Sequence, residues 1–297
     1  MILLKEIIER WKLKEITPIE IYDSLYLKRE DLFKPFEDVN VNGTKLRQCA
    51  YLILKNLEQA KNGVITCCSI HSPQGAITSA LCRDLGVKCT IFYGGTTYEK
   101  LATYKNQQLI AYLGGNMEIV TKMGRMSVLH SIARKRQEET HEFIVEHGVD
   151  LMNNIDCFLD SVAWQVQNLP NDLDNLIITC GSGISTTGIL YGLKLYNKNV
   201  KNIILVGVAP NRTNKIKNNL ETLSEITNLN LNDIEFEYID LFNTKGFRYE
   251  KEVKAEHCGI TLHPNYEAKT YKWIVDNVDF KNEKTCFWIV GANALNN

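Results

Sequence analysis

Two short stretches hold residues placed as if for chemistry. In VNGTKLR (41–47) a single lysine, Lys45, follows the turn dipeptide Asn42-Gly43 and the hydroxyl of Thr44. Beyond it, Leu46, Ala50, Leu54 and Leu57 are apolar while Lys55, Glu58 and Gln59 are polar, which is helical spacing. Lys45 therefore stands in the first turn of a helix, where the dipole disfavours a cation. An amine set against its local field is either solvated and indifferent or kept for its reactivity. The second stretch is GSGISTTG (181–188), where a Gly-Ser-Gly turn and three hydroxyl residues follow the apolar run LIITC (176–180). Amides at such a turn, with a helix N-terminus behind them, form a cradle for phosphate. The alternative is a tight strand-to-helix turn that binds nothing. No Gly-Lys-Ser/Thr follows, so it is not a P-loop, and glycines at 181, 183 and 188 miss the dinucleotide spacing.

The elements that must position these residues alternate along the chain. VITCC (64–68), KCTIFY (88–93), MEIVT (117–121), LIITC, NIILVGV (202–208), EFEYID (235–240) and CFWIV (286–290) are apolar runs of strand length. Helical stretches separate them: QGAITSALCRDLG, a segment through about Leu113, and a long helix from SVLHS closed by Gly148. Others start near Thr186, span 215–227 and span 265–277. This order predicts an α/β fold, with parallel sheets flanked by helices and right-handed crossovers. Ile216, Leu220, Leu223 and Ile226 make the Asn-rich 215–227 segment a surface helix. Three loops at strand ends are placed where open α/β sheets bind ligands: SIHSPQG (69–75), GSGISTTG, and LHPNYEAK (262–269).

Composition removes several function classes. The 297 residues carry a net charge of −1, with no global basic field to hold nucleic acid or an anionic membrane. No apolar run reaches the ~20 residues of a membrane span. The charged N-terminus MILLKEIIERWKLKE lacks the apolar core of a signal peptide. Nine cysteines without a CxxC pair read as reduced, buried thiols of a cytoplasmic protein. His141 and His147, six apart on the long helix, do not make a zinc pair, so no metal is expected.

Four segments together resemble one family. YLKREDLFKPFEDVNVNGTKLRQ (26–48) is similar to the segment bearing the Schiff-base lysine in fold-type-II pyridoxal-phosphate enzymes, the tryptophan synthase β-like fold. The nearest branch is that of 1-aminocyclopropane-1-carboxylate deaminase and D-cysteine desulfhydrase, with its KRxD…GGNKxRK pattern. SIHSPQGAITSALCRDLG resembles that branch's QSNxxRxxAxxAxxLG loop, GSGISTTGILYGLK its GSGGTxAGLxxGLK loop, and LHPNYEAKTYKWI its DPVYxGKxxxGL segment. The matches fall in order and span most of the chain.

The resemblance implies that Lys45 is the Schiff-base lysine, its amine protonating less readily because it is partly desolvated at a helix N-terminus. It implies that Thr44 adjoins the cofactor and that Gly181, Ser182, Gly183, Ile184, Ser185 and Thr186 hold its phosphate. Glu267 would face the pyridine nitrogen and keep the ring a strong electron sink. Tyr266 would be an acid/base near the reacting carbon, and His71, Ser72 and Gln74 would read the substrate carboxylate, with Ser72 also catalytic. Ser72 suits a helix cap equally well. Departures are Pro73 and Thr44 for asparagines of the pattern, His263 for its aspartate, Ala268 for its glycine, and IVGANAL (289–295) for the C-terminal HTGG. The cofactor half of the pattern is better kept than the substrate half.

The implied function is a lyase or deaminase acting at the α-carbon of a small amino acid, by elimination, deamination or decarboxylation. One alternative is a tailoring enzyme of a bacterial virus acting on an amino-acid-modified nucleobase in DNA, with nucleic acid as partner; another is a β-replacing or dehydratase-type relative. The family implies a homodimer, a large domain of 1–47 plus 161–297, and a smaller insert of 48–160.

Overall fold

The computed structural model describes residues 4–291. They form two compact units: the chain up to Leu13 with Lys34–Asn154, and Lys14–Phe33 with the chain from Ile155 onward. These contact-based limits are drawn differently from the expected domains, 1–47 with 161–297 and 48–160, and group Lys45 with the first unit. The physical reason is packing: the helix carrying Lys45 buries its apolar face against the helix over residues 74–85, and the Cys49 thiol meets the Thr78 hydroxyl at 3.7 Å.

In the first unit an all-parallel sheet runs in the order β5-β4-β3-β6. Its strands are β3 (Val64–Cys67), β4 (Cys89–Gly94), β5 (Asn116–Thr121) and β6 (Phe143–Val145). The helices are α1 (Leu4–Arg10), α2 (Thr44–Lys55), α3 (Leu57–Ala60), α4 (Gln74–Leu85), α5 (Tyr98–Leu101), α6 (Lys105–Tyr112) and α7 (Met126–Thr140). Every residue of β3 is buried, as expected of a parallel strand covered on both faces. Helix α4 ends in the left-handed conformation at Gly86, φ 68°.

The expected helix running to Gly148 is a correction. Helix α7 stops at Thr140, His141 turns left-handed at φ 57°, and FIV becomes β6, paired in parallel with Val64–Thr66. His141 is thus a helix cap and His147 lies beyond a strand, not on a helix. Three apolar residues among charges continue a helical period as readily as they make a strand; burial against β3 decides for the strand.

In the second unit the order is β1-β2-β12-β7-β8-β9, parallel except for the β1–β2 hairpin. The strands are β1 (Ile19–Tyr22), β2 (Leu25–Arg29), β7 (Leu173–Cys180), β8 (Val200–Gly207), β9 (Glu237–Asp240) and β12 (Thr285–Ile289). A two-residue ladder, β10 (Glu256–His257) with β11 (Ile260–Thr261), stands apart. The helices are α8 (Ile155–Ser161), α9 (Ile184–Leu195), α10 (Thr213–Thr227) and α11 (Glu267–Asn277). The β1–β2 hairpin is absent from the sequence expectation because its turn residues, Asp23 and Ser24, take positive φ without a glycine to mark them. Leu27, Ile177, Val206, Phe287 and Ile289 fill the core. Along α10, Ile216, Leu220 and Leu223 are buried while Ile226 is exposed. Among the described residues no helix is long and apolar enough to cross a membrane.

Candidate active site

The candidate residues divide between the two units, and within each unit they converge at the carboxyl ends of the parallel strands.

In the first unit Gly43 adopts φ 94°, ψ 179°, a conformation that only glycine takes without strain, and its carbonyl starts α2 by accepting from Leu46 and Arg47. Thr44 is buried as the first helical residue and Lys45 half-buried as the second. Lys45 lies within electrostatic reach of the Cys68 thiol, just beyond β3, while the amide of Gly75 bonds the same sulfur. Lys45 and the start of α4 therefore converge on one cysteine.

The loop between them carries His71, Ser72 and Gln74. Ser72 is 4% exposed, and its hydroxyl accepts from the Gln74 amide at 3.3 Å, the helix-capping contact its spacing allows. His71 lies edge-on to Tyr104, with ring centroids 5.4 Å apart. Gln74 is fully buried, and its amide is spent internally. Nε2 donates to Thr66 Oγ1 and to the Glu146 carbonyl, both at 2.8 Å, and Oε1 accepts from the Gly148 amide at 2.8 Å. Gln74 thus fastens the loop after β6 to the loop after β3, which leaves it a positioning role rather than a hold on substrate.

In the second unit β7 delivers Gly181 to Gly183 to the head of α9. Gly183, the N-cap residue, is left-handed at φ 85° and carries no capping side chain; the Ile184 amide donates to Ser182 Oγ at 3.5 Å, and the first-turn amides have no intrahelical acceptor. A Cβ on Gly181 would meet only Tyr266, at 3.7 Å. The glycine turn, the Ser182 hydroxyl and the helix N-terminus fit a phosphate group, and Tyr266 stands beside the turn. Behind it, the Thr187 hydroxyl bonds the Gly183 carbonyl at 2.9 Å and holds the turn in shape.

Glu267 opens α11 and is 1% exposed. Among the described residues neither carboxylate oxygen has a side-chain or full hydrogen-bonding partner, and the amides of Glu267 and Gly291 are the polar groups turned toward the carboxyl. Burial, with Asp31 nearby, pushes the carboxyl up to about 8, and the amides of Glu267 and Gly291 do not offset it. An isolated buried carboxylate needs a cationic or N–H-bearing partner, and the protonated pyridine nitrogen of a bound ring is such a group. The site therefore fits pyridoxal phosphate on its own terms.

Around Tyr266 are residues to which the sequence assigned no role. Its phenol meets that of Tyr249 at 2.7 Å, and His263 packs on its ring at 4.9 Å. Burial holds the His263 imidazole down at about 3, so it is neutral. Lys269, fully buried, clasps the carbonyls of Arg248 and Tyr249 at 2.9 and 3.3 Å, and Asn265 donates to the latter at 3.1 Å. Nothing in FRYEKEV marks Tyr249; Lys269 and Asn265 hold its carbonyl, and its ring meets that of Tyr266 edge-on. The KRED motif proves to be framework. The Lys28 ammonium bonds the Thr17 carbonyl at 2.7 Å and Asn168 at 2.9 Å beneath Trp288, and Arg29 pairs with Asp31 at 2.8 Å. Most of IVGANAL lies outside the described residues. A hollow of about 950 Å³ at the amino ends of β7, β8 and β9 is lined by none of the candidate residues.

A model of the pyridoxal-phosphate dependent enzyme family matches residues 11–248, and the chain belongs to that family. It is a pyridoxal-phosphate-dependent enzyme. Among curated proteins it is 26% identical to the O-seryl-dTMP PLP-dependent decarboxylase of Salmonella phage ViI, covering 92% of this chain and 79% of that protein. It is 22% identical to a putative 1-aminocyclopropane-1-carboxylate deaminase of Pyrococcus horikoshii, covering 86% and 80%. Among solved structures, that of an ACC deaminase homologue superposes with a TM-score of 0.76 at 21% identity, covering 94% of this chain and 90% of the other. The likeness confirms the fold-type-II architecture.

Proposed function

We propose that this enzyme decarboxylates an amino acid at its α-carbon, the amino acid being a seryl unit carried by a pyrimidine nucleotide. The observation that carries the chemistry is Glu267, a buried carboxyl with no charged partner among the described residues, next in the chain to the tyrosine that flanks the 181–183 turn. The substrate class rests on the likeness to the phage decarboxylase across nearly the whole chain.

Bound pyridoxal phosphate supplies the electron sink that a carboxylate-losing α-carbon requires. Lys45 is the amine that holds the cofactor, with Thr44 beside it. The amides and hydroxyls of residues 181–186 bind its phosphate, and the Glu267 carboxylate retains a proton on its ring nitrogen. Ser72, with His71, orients the substrate. As carbon dioxide leaves, the bonding pair stays with the α-carbon, and Tyr266 Oη delivers the proton that replaces it. Tyr249 Oη, 2.7 Å away, resupplies that proton. The protein acts as a homodimer in the cytoplasm, a compartment suited to its nine free cysteines.

The test is product analysis. Purified holoenzyme given O-seryl-thymidylate should release carbon dioxide and leave an aminoethyl product. Ammonia and a keto acid from free D-cysteine or aminocyclopropanecarboxylate, with the nucleotide untouched, would instead establish a deaminase. The structural likeness to the deaminase homologue favours that second reading.

A further inference from the structure

The net charge of −1 conceals an asymmetry. The first unit carries seventeen lysines and arginines against thirteen acids, and the second seventeen against twenty-two. The excess of cations is local: residues 98–136 hold seven basic side chains and two acids, Glu99 beside Lys100 and Glu118. Arg134 and Arg136 are spent on Glu146, Glu118 and Glu142. Lys100, Lys105, Lys122 and Arg125 are exposed and, among the described residues, form no ion pair.

Topology brings these four to one rim. Lys100 and Lys105 follow the carboxyl end of β4, and Lys122 and Arg125 follow the carboxyl end of the neighbouring edge strand β5. The two loops are bound together: the Gly95 amide donates to the Thr121 carbonyl at 3.2 Å, and Gly94 packs so closely on the Met123 carbonyl that a Cβ would collide. Tyr98 and Met123 are each 58% exposed between the cations, and the Tyr98 hydroxyl is tethered to the Ile119 amide at 3.4 Å. The rim is also joined to the substrate loop. His71 packs on Tyr104, next to Lys105, and Gln107 of α6 donates to the Ile70 carbonyl at 3.0 Å.

Cations at successive positions with an exposed aromatic ring among them match the charge and the bases of a nucleotide polymer. We infer that this rim, with Lys100, Lys105, Lys122 and Arg125, seats the sugar–phosphate backbone of a DNA strand, so that the modified base is presented while still in the polymer. The inference rests on the nucleotide reading of the substrate and extends it to polymeric DNA.

The test is binding of a fluorescent, unmodified single-stranded deoxyoligonucleotide to the holoenzyme, by anisotropy across a range of salt concentrations. Four phosphate contacts predict a log–log slope of roughly −3. Replacing all four residues with glutamine should lower affinity at low salt at least tenfold and bring the slope close to zero, with an unchanged melting temperature. Lys272→Gln with Lys281→Gln, on the second unit, should leave the slope as it was. A wild-type protein without salt-dependent binding, or a fourfold variant that keeps the slope, overturns the rim. Decarboxylation of the free seryl nucleotide by a protein whose DNA binding ignores these residues overturns the rim alone. Rim-dependent DNA binding without any decarboxylation supports the rim and overturns the substrate reading.

Discussion

The phenols of Tyr249 and Tyr266 meet at 2.7 Å, and Tyr266 in turn lies 3.7 Å from where a side chain on Gly181 would begin. A loop tyrosine is thereby placed one hydrogen bond behind the residue that flanks the phosphate cradle. Tyr266→Phe should lower kcat by about 10²-fold or more if its hydroxyl moves the proton. Tyr249→Phe should lower it by a smaller factor and leave KM unchanged. Steady-state kinetics on both variants separates the two roles; equal, negligible effects would reduce the pair to packing.

Lys45 contributes little to packing, so Lys45→Ala should fold and melt as the wild type does. Borohydride treatment followed by peptide mapping should place covalently fixed cofactor on Lys45 in the wild type and nowhere in the variant. Label on another lysine would end the assignment.

Glu267 predicts a pH dependence of the apoprotein. Its carboxyl is raised from 4.5 to about 8, so the protonated form is favoured by folding. The contribution to stability is fully present below pH 4.5 and is lost as pH rises through 8. Wild-type apoprotein should therefore lose stability over this window, by on the order of several kcal/mol, relative to Glu267→Gln. Denaturant melts at pH 5 and pH 8.5 would show it, and adding cofactor should shrink the difference by supplying the missing partner.

Gln74 makes three strong hydrogen bonds in a fully buried position. Gln74→Ala should destabilise the protein by roughly 2–4 kcal/mol in denaturant unfolding, because it removes three buried hydrogen bonds and strands the Gly148 amide, while Thr66 keeps the Val145 carbonyl and the Glu146 carbonyl keeps the Val149 amide. Its KM should rise only through disorder of the loop. A stable variant with a specifically weakened carboxylate affinity would return Gln74 to substrate binding.

Much of this was legible in the chain. The parallel strands declare themselves because burial on both faces demands unbroken apolar runs such as VITC and LIITC. The 181–183 turn is legible because Gly183 must take a positive φ at the head of α9, and Gly43 announces the turn before Lys45 for the same backbone reason. Other features are invisible locally. FIV follows a helical period until β3 offers it a sheet edge, and Asp23-Ser24 turns a hairpin without a glycine. Gln74 looks like a ligand until its bonds to residues 66, 146 and 148 are counted. Tyr249 comes to stand beside Tyr266 with Lys269 and Asn265 holding its backbone carbonyl. Backbone conformation and burial periodicity are local demands that each residue type answers alone, so they can be read in order along the chain. The partners of a buried amide or phenol come from segments tens of residues away, and folding alone selects them.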